Sequence, residues 1–293
     1  MKIAIIGSGF FGATLGLFLS KKHHVHIFEK KNKILNGASA ANQFRFHLGY
    51  HYPRSQKTVT EINKSKNSFT SFYGKNIFKS TRNYYLIANK SKVSYKKYVK
   101  FLNKNRLFNK EITNKVLSKE IEASIISNEK ILNYFDFKKV LLNKIKKSKL
   151  EIKFNQEFNK NLLKKYDKII IAAYSNNNFI LNKLGVKKLN DYKFELVEKI
   201  LIKLPKKYSN KSYVVIDGKF VCVDPYLGTK YHLLSDVKNS KLETKIGKYP
   251  NFIHKNKKYL NKGIIKDLKI SEFKKFVKRS SAFLPFLNQS KYI

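Results

Sequence analysis

A chain of 293 residues, 42% hydrophobic and 14% aromatic, can bury a substantial core, which excludes a disordered chain and allows one large domain or two ordinary ones. No apolar run approaches the roughly 18–20 residues that span a bilayer, and the one cysteine, Cys222, excludes an internal disulfide and points to a reducing cytoplasm. The formal charge is +43, from 57 lysines and only five arginines spread along the chain with many Asn and Ile.

Two readings of that charge stand. AT-rich codons would produce this mixture by drift, or a polyanion-binding surface has been selected. Nucleic-acid sites lean on Arg for forked contacts and on aromatics for stacking, so no specific nucleic-acid partner is expected. Non-specific, salt-dependent attraction to polyanions is expected on either reading.

In chain order, Lys2-Ile3-Ala4-Ile5-Ile6 reads as a buried strand running into Gly7-Ser8-Gly9-Phe10-Phe11-Gly12, with a helical apolar pattern from Ala13 to Leu19. A second strand, Val25 to Phe28, ends on Glu29. The three glycines serve different ends. Gly7 permits the tight turn, Gly9 admits a pyrophosphate, and Gly12 lets the helix sit close on the strand. The helix N-terminus offers N–H groups and partial positive charge, and Glu29 can accept hydrogen bonds from ribose hydroxyls. Strand, glycine turn, helix and acid in that order predict a dinucleotide site; an ordinary βαβ unit with a glycine-rich turn is the plainer alternative. A secretory signal fails, because Ser20-Lys21-Lys22-His23-His24 offers no small-residue cleavage site.

Residues 30–41 read as loop, and Asn36 to Asn42 is small and polar enough to wrap a ligand. The stretch Asn42-Gln43-Phe44-Arg45-Phe46-His47-Leu48-Gly49-Tyr50-His51-Tyr52-Pro53-Arg54-Ser55 is dense in His, Tyr and Arg, which suits a working loop, or a half-buried strand whose rings merely pack. Beyond it, helices are predicted over Thr58–Tyr73 and Ser94–Asn103, with a strand over Arg82–Ala88 between them. A weak helical signal follows near Ser118-Lys119-Glu120, then a helix over Asp136–Lys147 and a strand over Leu150–Phe154. Tyr166 to Ser175 reads as a buried strand in the middle of a parallel sheet. Short strands then follow over Phe194–Leu204, Tyr213–Ile216, Phe220–Val223 and Tyr231–Leu234, with a hairpin at Asp217-Gly218. Ser271 to Phe283 reads as a helix with Ser271 as N-cap.

The glycine turn, Glu29, the Gly49-Tyr50-His51-Tyr52-Pro53-Arg54-Ser55 segment and Asp217-Gly218-Lys219-Phe220-Val221-Cys222-Val223-Asp224-Pro225 together resemble bacterial FAD-dependent oxidoreductases of the D-amino-acid-oxidase-like (glycine oxidase, sarcosine oxidase) fold group. The resemblance covers nearly the whole chain and implies an α/β fold, a Rossmann-like FAD-binding domain with a parallel sheet plus an antiparallel-sheet substrate domain. The expected division is residues 1–80 and 130–185 for FAD, 81–129 and 186–270 for the substrate domain, and 271–293 as a helix returning to the FAD domain.

Gly7, Gly9, Phe10, Phe11 and Gly12 would then hold the FAD pyrophosphate, and Glu29 with Lys30 the adenosine ribose. Ser39, Asn42 and Gln43 would lie on the loop beneath the flavin phosphates and ring. Ala173 falls in Ala172-Ala173-Tyr174, where the group often has Ala-Thr-Gly. The group also continues with a glycine-containing strand and a final helix aimed at the flavin pyrimidine, which this chain is expected to lack. Either it is truncated or split, or it binds FAD weakly and keeps a binding role only; a lysine-rich polyanion-binding α/β protein is the further alternative. The flavin would take a hydride from a substrate amine or hydroxyl carbon. His47, Tyr50, His51, Arg54 and His232 are the expected reacting groups, with Tyr226 and Lys230 beside them. Arg54 or Arg45 would anchor a substrate anion by a forked contact. A His would take the proton. No metal is expected.

Overall fold

The computed structural model describes residues 1–112, 118–218, 221–257, 259–260 and 264–293. The order begins β1 (Lys2–Ile6), α1 (Phe10–Leu19), β2 (His24–Glu29), β3 (Arg45–Phe46), α2 (Gln56–Tyr73), β4 (Phe78–Lys79), β5 (Arg82–Ala88) and α3 (Tyr95–Lys104). It continues β6 (Asn109–Glu111), β7 (Ile121–Ser127), β8 (Lys130–Leu132), α4 (Tyr134–Lys146), β9 (Glu151–Phe154), β10 (Lys168–Ile171) and α5 (Asn177–Lys183). Then come β11 (Tyr192–Val197), β12 (Ile200–Lys203), β13 (Lys211–Ile216), β14 (Val221–Tyr226), β15 (Tyr231–Asp236), β16 (Lys241–Gly247), α6 (His254–Lys257), α7 (Phe273–Ser280) and β17 (Lys291–Tyr292).

The chain divides into two compact units, the first being Met1–Asn42, Lys138–Leu196 and Leu242–Ile265, the second Gln43–Phe137, Val197–Lys241 and Lys266–Ile293. These bounds differ from the expected ones in five places, two of them being residues 130–137, which belong to the second unit, and residues 186–196, which belong to the first. Residues 43–80 belong to the second unit, where β3 and β4 both pair with β8. Residues 242–265 belong to the first, where β16 pairs with β11. Residues 271–293 stay in the second, because α7 packs Phe276 into its core and β17 pairs with β12.

The first unit is built on a parallel sheet in the order β10-β1-β2-β9. Parallel strands bury both faces, which is why β1 and β2 read as near-continuous apolar runs. Gly16 of α1 lets the helix lie on that sheet: a Cβ there would meet Ile27 at 2.9 Å and Leu150 at 3.0 Å. Phe28, Phe158 and Tyr166 pack on the other face. The strand near Tyr166 is shorter than expected, Lys168–Ile171, and lies at the edge of this sheet rather than its middle. Ser175 and its neighbours turn instead into a 3-10 segment.

The second unit is an eight-stranded sheet, β17-β12-β15-β14-β13-β5-β7-β6, antiparallel except where β13 runs parallel to β5. Side chains alternate faces along a strand. On β5, Tyr84, Leu86 and Ala88 join one core with Phe276 and Phe286, while Tyr85 and Ile87 join the other with Tyr98 and Leu102 of α3. Those two α3 residues, four apart on one helix face, each gain roughly 1.5–3 kcal/mol from burial. The expected β13–β14 hairpin forms, Tyr213 opposite Val223; of the residues between the strands, Lys219 and Phe220 lie outside the described residues.

Two further expectations are corrected. The helical signal at Ser118-Lys119-Glu120 is instead a turn, the Ile121 amide donating to the Ser118 carbonyl at 3.1 Å, that leads into β7. The single strand Phe194–Leu204 breaks at Glu198-Lys199 into β11 and β12, which join different sheets. At α7 Ser271 caps by accepting from the Phe273 amide at 3.1 Å, one residue before the formal cap.

Candidate functional site

In the first unit the glycine turn follows β1 as expected. Gly7 has φ 105, and a Cβ there would sit 2.6 Å from the Ala172 carbonyl oxygen; at Gly12 it would sit 1.9 Å from the Gly7 oxygen. Both are glycines because the fold admits nothing else. Gly9 differs. Its backbone is extended (φ −65, ψ −178), and its Cβ would meet only the Ser39 hydroxyl, at 3.4 Å, an ordinary contact. Among the described residues nothing requires glycine at residue 9, so the room kept there fits a ligand approaching the α1 N-terminus.

The surroundings suit a diphosphate bound to a sugar. Ser39 Oγ accepts from the Phe10 amide at 3.0 Å, and Asn42 Nδ2 donates to the Ser39 carbonyl at 3.1 Å, so the 36–42 loop closes over the turn. Glu29 turns its carboxylate back to the turn rather than away: Oε2 accepts from Ser8 N at 2.9 Å and Ser8 Oγ at 2.7 Å, and Oε1 from Lys31 N at 2.9 Å. Ser8 is thus a partner that the motif spacing alone did not reveal. Ala173 N donates to Asn177 Oδ1 at 2.9 Å, and Tyr174 takes φ 56 with its ring 76% exposed. Tyr174, which stands where the glycine of Ala-Thr-Gly was expected, thus has a left-handed backbone. Phe11 is 77% exposed, its ring edge-on to that of Phe10 at 5.2 Å, and Lys30 is exposed.

The second unit holds a buried charge cluster that sequence reasoning did not assemble. Arg45 is its centre. Its Nε and Nη2 donate to Glu129 Oε2 at 3.1 and 2.6 Å, and Nη1 donates to Ser212 Oγ at 2.6 Å and to Asp224. Tyr85 OH donates to Glu129 Oε2 at 2.5 Å, the Leu48 amide to Oε1 at 2.9 Å, and Cys222 Sγ to Asp224 Oδ2 at 2.9 Å. Glu129 and Asp224 side chains are fully buried, and Arg45's is 2% exposed. Burial alone would raise the Glu129 carboxyl; the Arg45 guanidinium, with His47 and Tyr85, overrides it and holds the group well below the usual carboxylate range. Burial, then the Asp224 charge, pushes the Cys222 thiol far up, leaving it unreactive. Arg45 is thus no free anchor for a substrate anion. Its five donors are directed at the protein itself.

The expected reacting groups separate into three situations. His47 is partly open, 30% exposed, with Nδ1 3.5 Å from Glu129 Oε1; its ring meets His51 at 5.5 Å and Tyr52 at 5.4 Å. His51 is exposed beside it. Tyr50 is a brace instead. It is wholly buried and stacked on Tyr85, with its hydroxyl 2.6 Å from both the Phe108 carbonyl and Asn128 Oδ1, and burial pushes its pKa up to about 12. His232 is likewise a core histidine, 4% exposed, with Nε2 3.2 Å from the Tyr208 carbonyl; burial lowers its pKa. Arg54 is exposed and ion-paired with Asp217. Gln43 lies in this unit, with Nε2 3.5 Å from the Leu233 carbonyl. Tyr226 stacks on Phe44 at 5.6 Å, and Lys230 is exposed.

These features define a dinucleotide-type α/β protein, and comparison with known proteins narrows the fold. Residues 5–65 match the family described as NAD(P)-binding Rossmann-like domain. Over 71 residues, 24% of this chain, the sequence is 35% identical to the FAD-dependent monooxygenase FPY4 of Fusarium mangiferae, a match spanning 18% of that protein's length. Among solved structures it is similar to glycine oxidase from Geobacillus kaustophilus (TM-score 0.67, 15% identity, 99% of this chain and 80% of that one). It is also similar to L-proline dehydrogenase from P. horikoshii (TM-score 0.69, 14% identity, 100% and 79%). A third is L-alpha-glycerophosphate oxidase from Mycoplasma pneumoniae, solved with FAD bound (TM-score 0.67, 16% identity, 99% and 80%). The chain has the fold of these two oxidases and of the proline dehydrogenase. No described helix is long and apolar enough to cross a membrane.

Proposed function

We propose that this protein is an FAD-dependent oxidoreductase that removes a hydride from an amine- or hydroxyl-bearing carbon of a small polar substrate. The observation that carries the reading is Gly9, a glycine the fold does not need, at a helix N-terminus where only a ligand would require its space. Gly7, Gly9, Phe10 and Gly12 would hold the diphosphate, Glu29 the ribose, and Ser39 and Asn42 would close the loop over them. FAD, when bound, supplies the hydride acceptor.

The chain's own contribution to the chemistry is proton handling. His47 is the histidine with both an open face and a buried carboxylate behind it, so it is suited to accept the proton that leaves a substrate amine or hydroxyl. His51, 5.5 Å from its ring, is the weaker second candidate, because desolvation, with His47 and Arg45 nearby, lowers its pKa to about 4. Arg54 can meet a substrate carboxylate or phosphate only by yielding Asp217.

Release and quantification of flavin from the purified protein, followed by anaerobic mixing with amino acids and hydroxy acids, tests both parts. The reading requires about one flavin per chain and bleaching of the flavin band by at least one substrate class. His47→Gln should keep the flavin while slowing bleaching by about 10²–10⁴-fold. A protein that takes up no FAD contradicts the proposal.

A further inference from the structure

At the other end of β2 from Glu29, the sequence His23-His24-Val25-His26 builds a cluster that the flavin reading does not use. His24 and His26 are two apart on a strand, so both point to one face. His26 is in register with Glu151 on the adjacent strand β9. The three side chains converge: His24 Nε2 lies 2.9 Å from His26 Nε2, Glu151 Oε2 lies 3.1 Å from His26 Nε2, and Glu151 Oε1 lies 3.7 Å from His24 Nε2. Metal–ligand distances near 2.0–2.2 Å put neighbouring donor atoms about 2.9–3.4 Å apart, from right-angled to tetrahedral geometry. Two of the observed edges, 2.9 and 3.1 Å, fall within that range, and the third, 3.7 Å between the two exposed side chains, needs to close by a few tenths of an ångström.

We propose that His24, His26 and Glu151 form a binding site for a divalent transition-metal ion, with Zn²⁺ as its fitting occupant. Tyr166 completes it from behind. Its hydroxyl is 2.6 Å from His26 Nδ1, and when Nδ1–H donates to that oxygen the His26 Nε2 lone pair faces the other two donors. This is the arrangement by which an outer partner fixes a ligating imidazole. His26 is held at 8% side-chain exposure while His24 and Glu151 are 58% and 59% exposed, so two ligands are anchored to solvent-facing positions and the coordination sphere stays open to water or a further donor. The donor set selects the ion. Two imidazoles and one carboxylate suit Zn²⁺, whereas Ca²⁺ and Mg²⁺ need a majority of oxygens. Lys2 and Lys153 also face His26, and their charge disfavours ions held by electrostatics alone. Three residues from His26 and five from His24, roughly 10–16 Å of strand, separate this cluster from Glu29, whose carboxylate is engaged at the glycine turn instead.

The test uses the tag-free, full-length protein titrated with Zn²⁺ by calorimetry and with Co²⁺ by visible absorption. One saturable equivalent is expected, with a cobalt spectrum of mixed nitrogen and oxygen ligation. His24→Ala and Glu151→Gln alter exposed side chains and should leave the thermal midpoint of the metal-free protein unchanged while weakening binding at least ten-fold; Tyr166→Phe should weaken it about ten-fold through the lost orienting contact. No saturable uptake overturns the proposal. So does uptake of the same strength in both ligand variants, which would mark the metal as scattered over other surface groups.

Discussion

At the turn after β1, three glycines keep side chains out of a space; around Arg45, buried side chains occupy every position about one guanidinium. Both regions handle charge. The turn leaves its charge partner to arrive from outside, so its cost falls on backbone freedom and close approach. The cluster supplies both signs itself, so its cost is desolvation, met only while every member is present. This difference sets how each should respond to change.

The greatest loss is expected at the cluster. Arg45→Met strands the Glu129 and Asp224 carboxylates in the core and should cost about 3–5 kcal/mol in urea unfolding. Replacing Arg45, Glu129 and Asp224 together by apolar residues of similar volume should recover most of that loss, since the charges no longer need one another. If the single and triple variants are equally unstable, charge compensation is not what holds the region.

The cluster also predicts a pH dependence. The folded Glu129 carboxyl lies below its unfolded value near 4.3, so its contribution is complete above that pH and is lost as pH falls below it. Wild-type stability should therefore drop between neutral pH and about pH 3.5, and the gap to Arg45→Met should narrow, because Glu129 in that variant gains from protonation. Unfolding midpoints at both pH values check this. A gap that widens in acid would mean that the two regions do not differ in this way.

Changes at the turn should be smaller and uneven. Gly12→Ala places a methyl 1.9 Å from the Gly7 oxygen and should cost about 1–3 kcal/mol by overpacking, whereas Gly9→Ala should leave thermal stability nearly unchanged. Ser39→Ala removes the acceptor from the Phe10 amide and should cost on the order of 1 kcal/mol.

The turn was legible in the sequence because its parts lie within 30 residues and glycine leaves a mark at each tight place. The Arg45 cluster was not, since Glu129 lies 84 residues away and Asp224 179. A trace was present all the same. In a chain with 57 lysines and five arginines, an arginine marks a place where lysine's point charge will not serve, and among the described residues Arg45, Arg54 and Arg279 each pair with a carboxylate. Tyr50 and His232 looked reactive by type, but residue type does not report burial. The alternation along β5, with tyrosine on both faces, was the available sign that both sides of that sheet are core.

Whether the space beside Gly9 belongs to a diphosphate is decided by the FAD affinity of wild type beside Gly9→Val, followed by flavin fluorescence with the melting temperature of each recorded in parallel. The valine variant should melt close to wild type yet lose FAD binding, because its side chain fills space that only the diphosphate uses. A folded Gly9→Val protein that still holds FAD would show that the turn is not the cofactor's seat.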